Sequence, residues 1–189
     1  MFLLRKSIYS ACQAGKEVGA KHPIKNVVTI ERPLELLHMD IFEPVAYISL
    51  GGNKYGFVIV DDYSHFTCVF FLRDKSEVHG IFKKFVKRAQ NEFDVKIKRV
   101  RSDNGTEFKN TNIEEFLDEE GIKHEFLVPY TPQQNVVERK NRTLIEAARA
   151  MLDEYKTPTN YWVEAVNTTS MLSTAYIFTR KEKRPPTNF

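Results

Sequence analysis

Apolar residues follow two different rhythms along this chain, and the switch between them marks out its elements. Leu36 to Ile41 reads as a first strand. Tyr55 to Val60, after the turn-rich Gly51-Gly52-Asn53, reads as a second. Phe66 to Leu72 reads as a third, and the short gap from Asp61 to His65 implies a hairpin between them. The period then lengthens: Val78, Ile81, Phe82, Phe85, Val86, Ala89 and Phe93 recur at three- and four-residue steps. That is the stripe of an amphipathic helix, with Lys83, Lys84, Lys87 and Arg88 on its other face. Alternation returns at Val95 and Ile97, predicting a fourth strand that runs to Asp103.

Thr111-Asn112-Ile113-Glu114 has the capping-box form, so a short helix is expected from Thr111, stopping at Gly121. His124 to Val128 predicts a fifth strand, ended by Pro129. After a Pro132-Gln133-Gln134-Asn135 loop, Val137, Asn141, Leu144, Ala148 and Met151 fall on one helical stripe in which only Asn141 is polar. A last helix is predicted from Asn160 to about Ala175. The order is three strands, helix, strand, helix, strand and two helices: an α/β fold with helices for both faces of one sheet.

Composition narrows the class. Hydrophobic residues at 42% and aromatics at 12% suffice for a packed core. The 28 basic and 25 acidic residues leave a net charge of only +3, so affinity for a polyanion must come from local clusters. Cys12 and Cys68 suit intracellular thiols better than a disulfide framework. The opening Met1-Phe2-Leu3-Leu4 is too short for the about 7–15 apolar residues of a secretory signal. No stretch reaches the roughly 18 apolar residues of a membrane span, so no membrane partner is expected.

Three acids occupy element ends. Asp40 closes the run Leu36 to Met39, Asp103 follows the fourth alternating segment, and Glu138 opens the long helical stripe. Carboxylates brought together from such places can hold hard divalent cations, which take oxygen ligands. A pair of such ions roughly 3.5–4 Å apart can serve displacement at phosphorus. Asp61 and Asp62 also end a strand, but Asp61-Asp62-Tyr63-Ser64 reads as turn chemistry. The five histidines show no paired metal spacing, and a packing role is expected for His38.

The local sequences narrow the picture further. Glu31-Arg32-Pro33-Leu34-Glu35-Leu36-Leu37-His38-Met39-Asp40, Val60-Asp61-Asp62-Tyr63-Ser64 and Arg101-Ser102-Asp103-Asn104-Gly105-Thr106-Glu107-Phe108 resemble segments of one family. So do Pro129-Tyr130-Thr131-Pro132-Gln133-Gln134-Asn135 and Val137-Glu138-Arg139-Lys140-Asn141-Arg142-Thr143-Leu144. Together they resemble the integrase catalytic core of copia-type LTR retrotransposons, over roughly residues 10 to 175. The resemblance implies a ribonuclease H-like α/β fold, with a five-stranded mixed sheet flanked by helices. It implies Asp40, Asp103 and Glu138 as ligands of two Mg²⁺ or Mn²⁺ ions, in 3′-end processing and strand transfer of DNA.

Residues 180–189 form a basic tail, and residues 31–179 are expected to be the catalytic core. Residues 1–30 are expected to be the remnant of an N-terminal zinc-binding region and linker. Tyr9-Ser10-Ala11-Cys12 lacks the first thiolate of a Cys-x-x-Cys, and no His pair precedes it, so no structural zinc is expected.

Candidate DNA-binding groups are Arg142, which shares a helix face with Glu138; Arg139 and Lys140, which point elsewhere; and Gln133, Gln134 and Asn135 in the preceding loop. The sequence also departs from the family pattern. Glu43 stands where the resemblance implies Gly, and Cys68 where it implies Trp. Only 34 residues separate Asp103 from Glu138, one fewer than the family's usual spacing. Three functions stay open: an active strand transferase, a catalytically silent nucleic-acid-binding module derived from one, and a nuclease that cuts without joining. The expected partners are DNA and further copies of the chain. The expected location is intracellular, and nuclear if the chain is functional.

Overall fold

The computed structural model describes residues 30–43, 47–127 and 135–182, excluding the side chains of Asn135 and of residues 173–182. Five strands form one sheet in the order β3-β2-β1-β4-β5: β1 (Leu36–Phe42), β2 (Tyr55–Asp61), β3 (Thr67–Leu72), β4 (Arg99–Ser102) and β5 (Lys123–Phe126). The first three strands pair antiparallel as a meander, while β4 and β5 run parallel to β1. Such parallel strands need crossover connections. They are supplied by α1 (Val78–Phe93) before β4 and α2 (Thr111–Glu120) before β5. Two longer helices follow, α3 (Asn135–Glu154) and α4 (Trp162–Glu182).

Strand alternation divides the core in two. Leu37, Met39, Phe57, Ile59 and Val100 pack on the face covered by α1 and α2, with Phe82, Val86 and Phe116 from those helices. Phe42, Val58 and Val60 pack on the opposite face with Val137, Leu144 and Ala148 of α3 and Trp162 and Val166 of α4. His38, Asp40 and Phe42 alternate with the first set, so β1 turns them toward α3.

The structure corrects several predicted boundaries. The fourth strand is Arg99–Ser102 and does not begin at Val95. Its parallel partner β1 starts at Leu36, opposite Arg99, so the β1 ladder does not reach residues 95–98, and the Lys98 carbonyl accepts from Lys123 N at the start of β5. Ile97 is buried in that irregular stretch, its N–H donating to Gln90 Oε1 at 3.0 Å. The cap of α2 is Asn110 rather than Thr111: its side chain accepts from Ile113 N at 3.0 Å. Gly121 ends the helix as predicted.

The fifth strand is Lys123–Phe126, shorter than expected. Asn135 belongs to α3 rather than to the loop before it. The last helix starts at Trp162, after a 3₁₀ turn at Thr159–Tyr161, and runs on to Glu182. Gln133, Gln134 and Cys12 lie outside the described residues, as do nearly all of the expected N-terminal remnant and most of the basic tail. No helix among the described residues is long and apolar enough to cross a membrane.

Candidate active site

Asp40 sits in the middle of β1, paired with Val58 of β2, and its carboxylate faces α3. One oxygen accepts from the Ile41 backbone N–H at 2.8 Å. The other accepts from Asn141 Nδ2 at 2.7 Å, a bond that ties the central strand to α3 across 101 residues of chain. Asn141 lies one turn after Glu138, and the two line a shallow cavity of about 360 Å³ together with Asp40, Phe42, Arg142 and Arg149. Glu138 is exposed on its wall, in the first turn of α3. Here the helix-start partial charge favours a carboxylate.

Asp103 follows β4 by one residue. Its Oδ1 accepts from Gly105 N at 3.0 Å, an Asx turn that aims the carboxylate back over the chain. A Cβ at Gly105 would lie 2.8 Å from the Glu107 carboxyl carbon and 3.0 Å from Asp103 Oδ1, so a larger residue there would push the ends of both acidic side chains aside. Burial pushes the Asp40 carboxyl up to about 7, with the Asp103 and then the Glu138 charge adding to it. Asp103 and Glu138 therefore both stand where Asp40 feels their charge. The three acids gather loosely: among the described residues no three His, Cys, Asp or Glu side chains are close enough to hold a metal ion.

The remaining candidates divide. Arg142 is exposed on the cavity wall and makes no ion pair with Glu138 or Glu146. Arg139 and Lys140 do not line the cavity, and burial holds the half-buried Lys140 amine below its usual range. Asp61 is absorbed in turn chemistry, accepting from Leu34 N and from Ser64 N, both at 2.8 Å. His38 is buried, and its Nε2 meets Asp62 Oδ1 at 2.8 Å, which anchors the same turn. Two functional candidates escaped sequence reasoning. Asn141 had a visible signal as the lone polar member of an apolar stripe. Arg149 lies seven residues beyond Arg142, which returns it to the same helix face.

These features place the chain among known proteins. Residues 30–132 match the integrase core domain family. The chain is 40% identical over 158 residues to the Retrovirus-related Pol polyprotein from transposon TNT 1-94 of Nicotiana tabacum, covering 82% of this chain and 12% of that protein. The chain belongs to the integrase core family.

The corresponding polyprotein from transposon RE2 of Arabidopsis thaliana is 32% identical over 145 residues, covering 75% of this chain and 10% of its own length. The chain thus spans about a tenth of the length of the curated relatives it matches. Among solved structures, the HTLV-2 integrase catalytic core domain, in complex with magnesium and in trimeric form, superposes with a TM-score of 0.52. Identity to it is 21%, covering 73% of this chain and 83% of that one. A chain of the simian T-cell lymphotropic virus intasome, in complex with PP2A regulatory subunit B56 gamma, gives a TM-score of 0.55 at 18% identity. That match covers 73% of this chain and 47% of the other. The fold is that of integrase catalytic cores, ribonuclease H-like, with a five-stranded mixed sheet.

A larger cavity, of about 720 Å³, lies on the opposite sheet face, and none of the three acids lines it. Its walls are apolar, with Leu37, Ile59, Phe70 and Phe85 among them, and Cys68 stands in its floor. Burial pushes that free thiol up to about 11, so Cys68 packs there as a small neutral side chain. Where the family resemblance implies an indole, this chain leaves space. Cys68→Trp is expected to fill part of it and stabilise the fold by about 1 kcal/mol. A thermal melt should show a rise of roughly 3 °C, the scale for a chain of this length.

Proposed function

We propose that this integrase core carries out divalent-metal-dependent processing and strand transfer of DNA, with Asp40, Asp103 and Glu138 as its catalytic carboxylates. The observation carrying this reading is the Asp40 carboxyl: turned toward α3, tied to Asn141 beside Glu138, and raised by burial with the charges of both other acids adding to it. Acids that repel one another in a partly buried site create a demand for positive charge. An all-oxygen donor set suits Mg²⁺ or Mn²⁺. Two such ions, when bound, would supply activation of the attacking oxygen and stabilisation of the leaving one.

The chain's own residues do the rest. Asn141 fixes the Asp40 rotamer, and Gly105 N fixes that of Asp103. Phe42 and Val137 close the base of the site against water. Arg142 presents a planar guanidinium suited to a bidentate phosphate contact, and Arg139 and Lys140 are proposed contacts for flanking phosphates. Gln133, Gln134 and Asn135 remain proposed contacts for DNA ends. The HTLV-2 neighbour is trimeric and the simian viral one is an intasome. A homo-oligomer acting on element ends and target DNA is therefore part of the proposal, with its place of action in the nucleus.

One observation favours a second reading, a silent nucleic-acid-binding module: the three acids do not close into a ligating cluster. Joining of an oligonucleotide duplex into plasmid DNA, with Mg²⁺ or Mn²⁺, separates the two. Glu138→Gln is expected to lower product at least a hundredfold, about 3 kcal/mol of transition-state stabilisation. A wild-type chain that binds DNA yet yields no product above this variant would establish the silent module. Cutting without joining would establish a nuclease.

A further inference from the structure

Behind Asp103, on the sheet face away from Asp40, a serine and a histidine form a short relay. Ser102, on β4, is wholly buried, and its hydroxyl donates to the Asp103 backbone carbonyl at 2.9 Å. The same Oγ lies 2.9 Å from His124 Nε2, on the neighbouring parallel strand β5. A hydroxyl has one hydrogen. With that hydrogen committed to the Asp103 carbonyl, the histidine must be the donor, so Nε2 carries the proton. Nδ1 is buried without a partner among the described residues, which a bare lone pair tolerates better than an unpaired N–H. Phe126, at a ring-centroid distance of 4.2 Å, fixes the plane of the imidazole. Burial also holds His124 below the usual histidine range, consistent with a neutral ring.

We infer that His124 is a positioning residue for Asp103: its Nε2–H orients the Ser102 hydroxyl, which in turn locks the backbone from which the Asp103 carboxylate projects. The reason for such a lock is local. Asp103 lies beyond the last residue of β4, where ladder bonds end, and among the described residues the Gly105 N–H is what restrains its carboxylate from the other side. A group held from both ends keeps one orientation, as metal-site carboxylates require of their supporting hydrogen bonds.

The inference rests on the proposed metal-dependent chemistry for its consequence, but not for its geometry, so the test has separate arms. In the full chain, ¹⁵N spectra of the imidazole should show a protonated Nε2 and a bare Nδ1 for His124, and Ser102→Ala should shift the Nε2 signal. A protonated Nδ1 would overturn the relay whatever the enzyme does. For the consequence, Mn²⁺ affinity is measured by calorimetry on His124→Gln, which keeps an N–H donor, and His124→Leu, which does not. The leucine variant is expected to bind Mn²⁺ on the order of tenfold more weakly, the lower end of what supporting groups contribute, with glutamine close to wild type. Melting curves identify any variant that fails to fold; if the leucine variant does, Ser102→Ala, which removes the relayed hydroxyl, takes its place and is expected to show the same weakening. Equal Mn²⁺ affinity in all three folded proteins would overturn the positioning role. Weaker Mn²⁺ binding in the leucine variant, with no strand transfer by wild type, would sustain that role and defeat only the proposed reaction.

Discussion

Asp40→Asn is expected to abolish strand transfer and, in metal-free buffer, to make the protein more stable. Both outcomes follow from the same electrostatics. The Asp40 carboxyl is pushed up to about 7 by burial and by the Asp103 and Glu138 charges, from an ordinary value of 3.8. A carboxyl whose folded pKa lies above its unfolded one binds its proton more tightly in the native state. Its penalty is absent below about pH 4 and grows as pH rises toward 7. Above that window the ionised group costs the fold roughly 2–4 kcal/mol.

The amide removes the charge and retains most of the shape. It cannot satisfy both Ile41 N and Asn141 Nδ2 as acceptor, so the net gain should be nearer 1 kcal/mol. Urea melts at pH 8 should therefore show a higher midpoint for the variant, with the difference vanishing near pH 4. Saturating Mn²⁺ should reverse the order by stabilising the wild type alone. An Asp40→Asn protein less stable than wild type in metal-free buffer at pH 8 would mean that the three carboxylates do not strain the fold.

The legible parts of this molecule were those whose cause is local. The three- and four-residue spacing from Val78 to Phe93 produced α1 where expected, because a stripe of that width needs only one sheet face to cover it. The β2–β3 hairpin followed from the residues around Asp61, whose carboxylate satisfies its own turn. The fourth strand was misplaced because Val95 and Ile97 alternate as well as Val100 does. What decided between them was the start of β1, some sixty residues away, which no local pattern reports. The site was similarly divided. Asp40, Asp103 and Glu138 were recognisable by resemblance. Asn141 was visible as a polar interruption, yet its target, Asp40, lies 101 residues upstream. The Ser102–His124 contact depends on the parallel register of β4 and β5, and nothing in either residue's neighbourhood announces it.

Gly56 illustrates how a register can impose a requirement on one residue, and its replacement should have the largest effect on folding. It sits opposite Phe42 in the β1–β2 pair, with the outer end of the Phe42 ring against it. A Cβ at Gly56 would lie 2.4 Å from Phe42 Cζ and 2.8 Å from both Cε atoms. The obstructing atoms belong to a rigid ring that packs in the same core as Trp162 and Val58, so the clash cannot be relieved by a flexible side-chain end. Gly56→Ala must either open the β1–β2 pairing or drive Phe42 out of the core. Overpacking of this kind costs about 1–3 kcal/mol and sometimes more. The melting temperature should fall by roughly 3–9 °C, on the scale of a chain this size.

Phe42 also lines the cavity beside Asp40, so its displacement should weaken Mn²⁺ binding as well. Phe42→Leu in the same chain should recover part of the loss, because a smaller side chain leaves room for the new methyl. The double variant is then more stable than the sum of the single changes predicts, the signature of two residues in contact. Additive effects would show that the ring does not rest on the glycine, and the explanation for this position would fail.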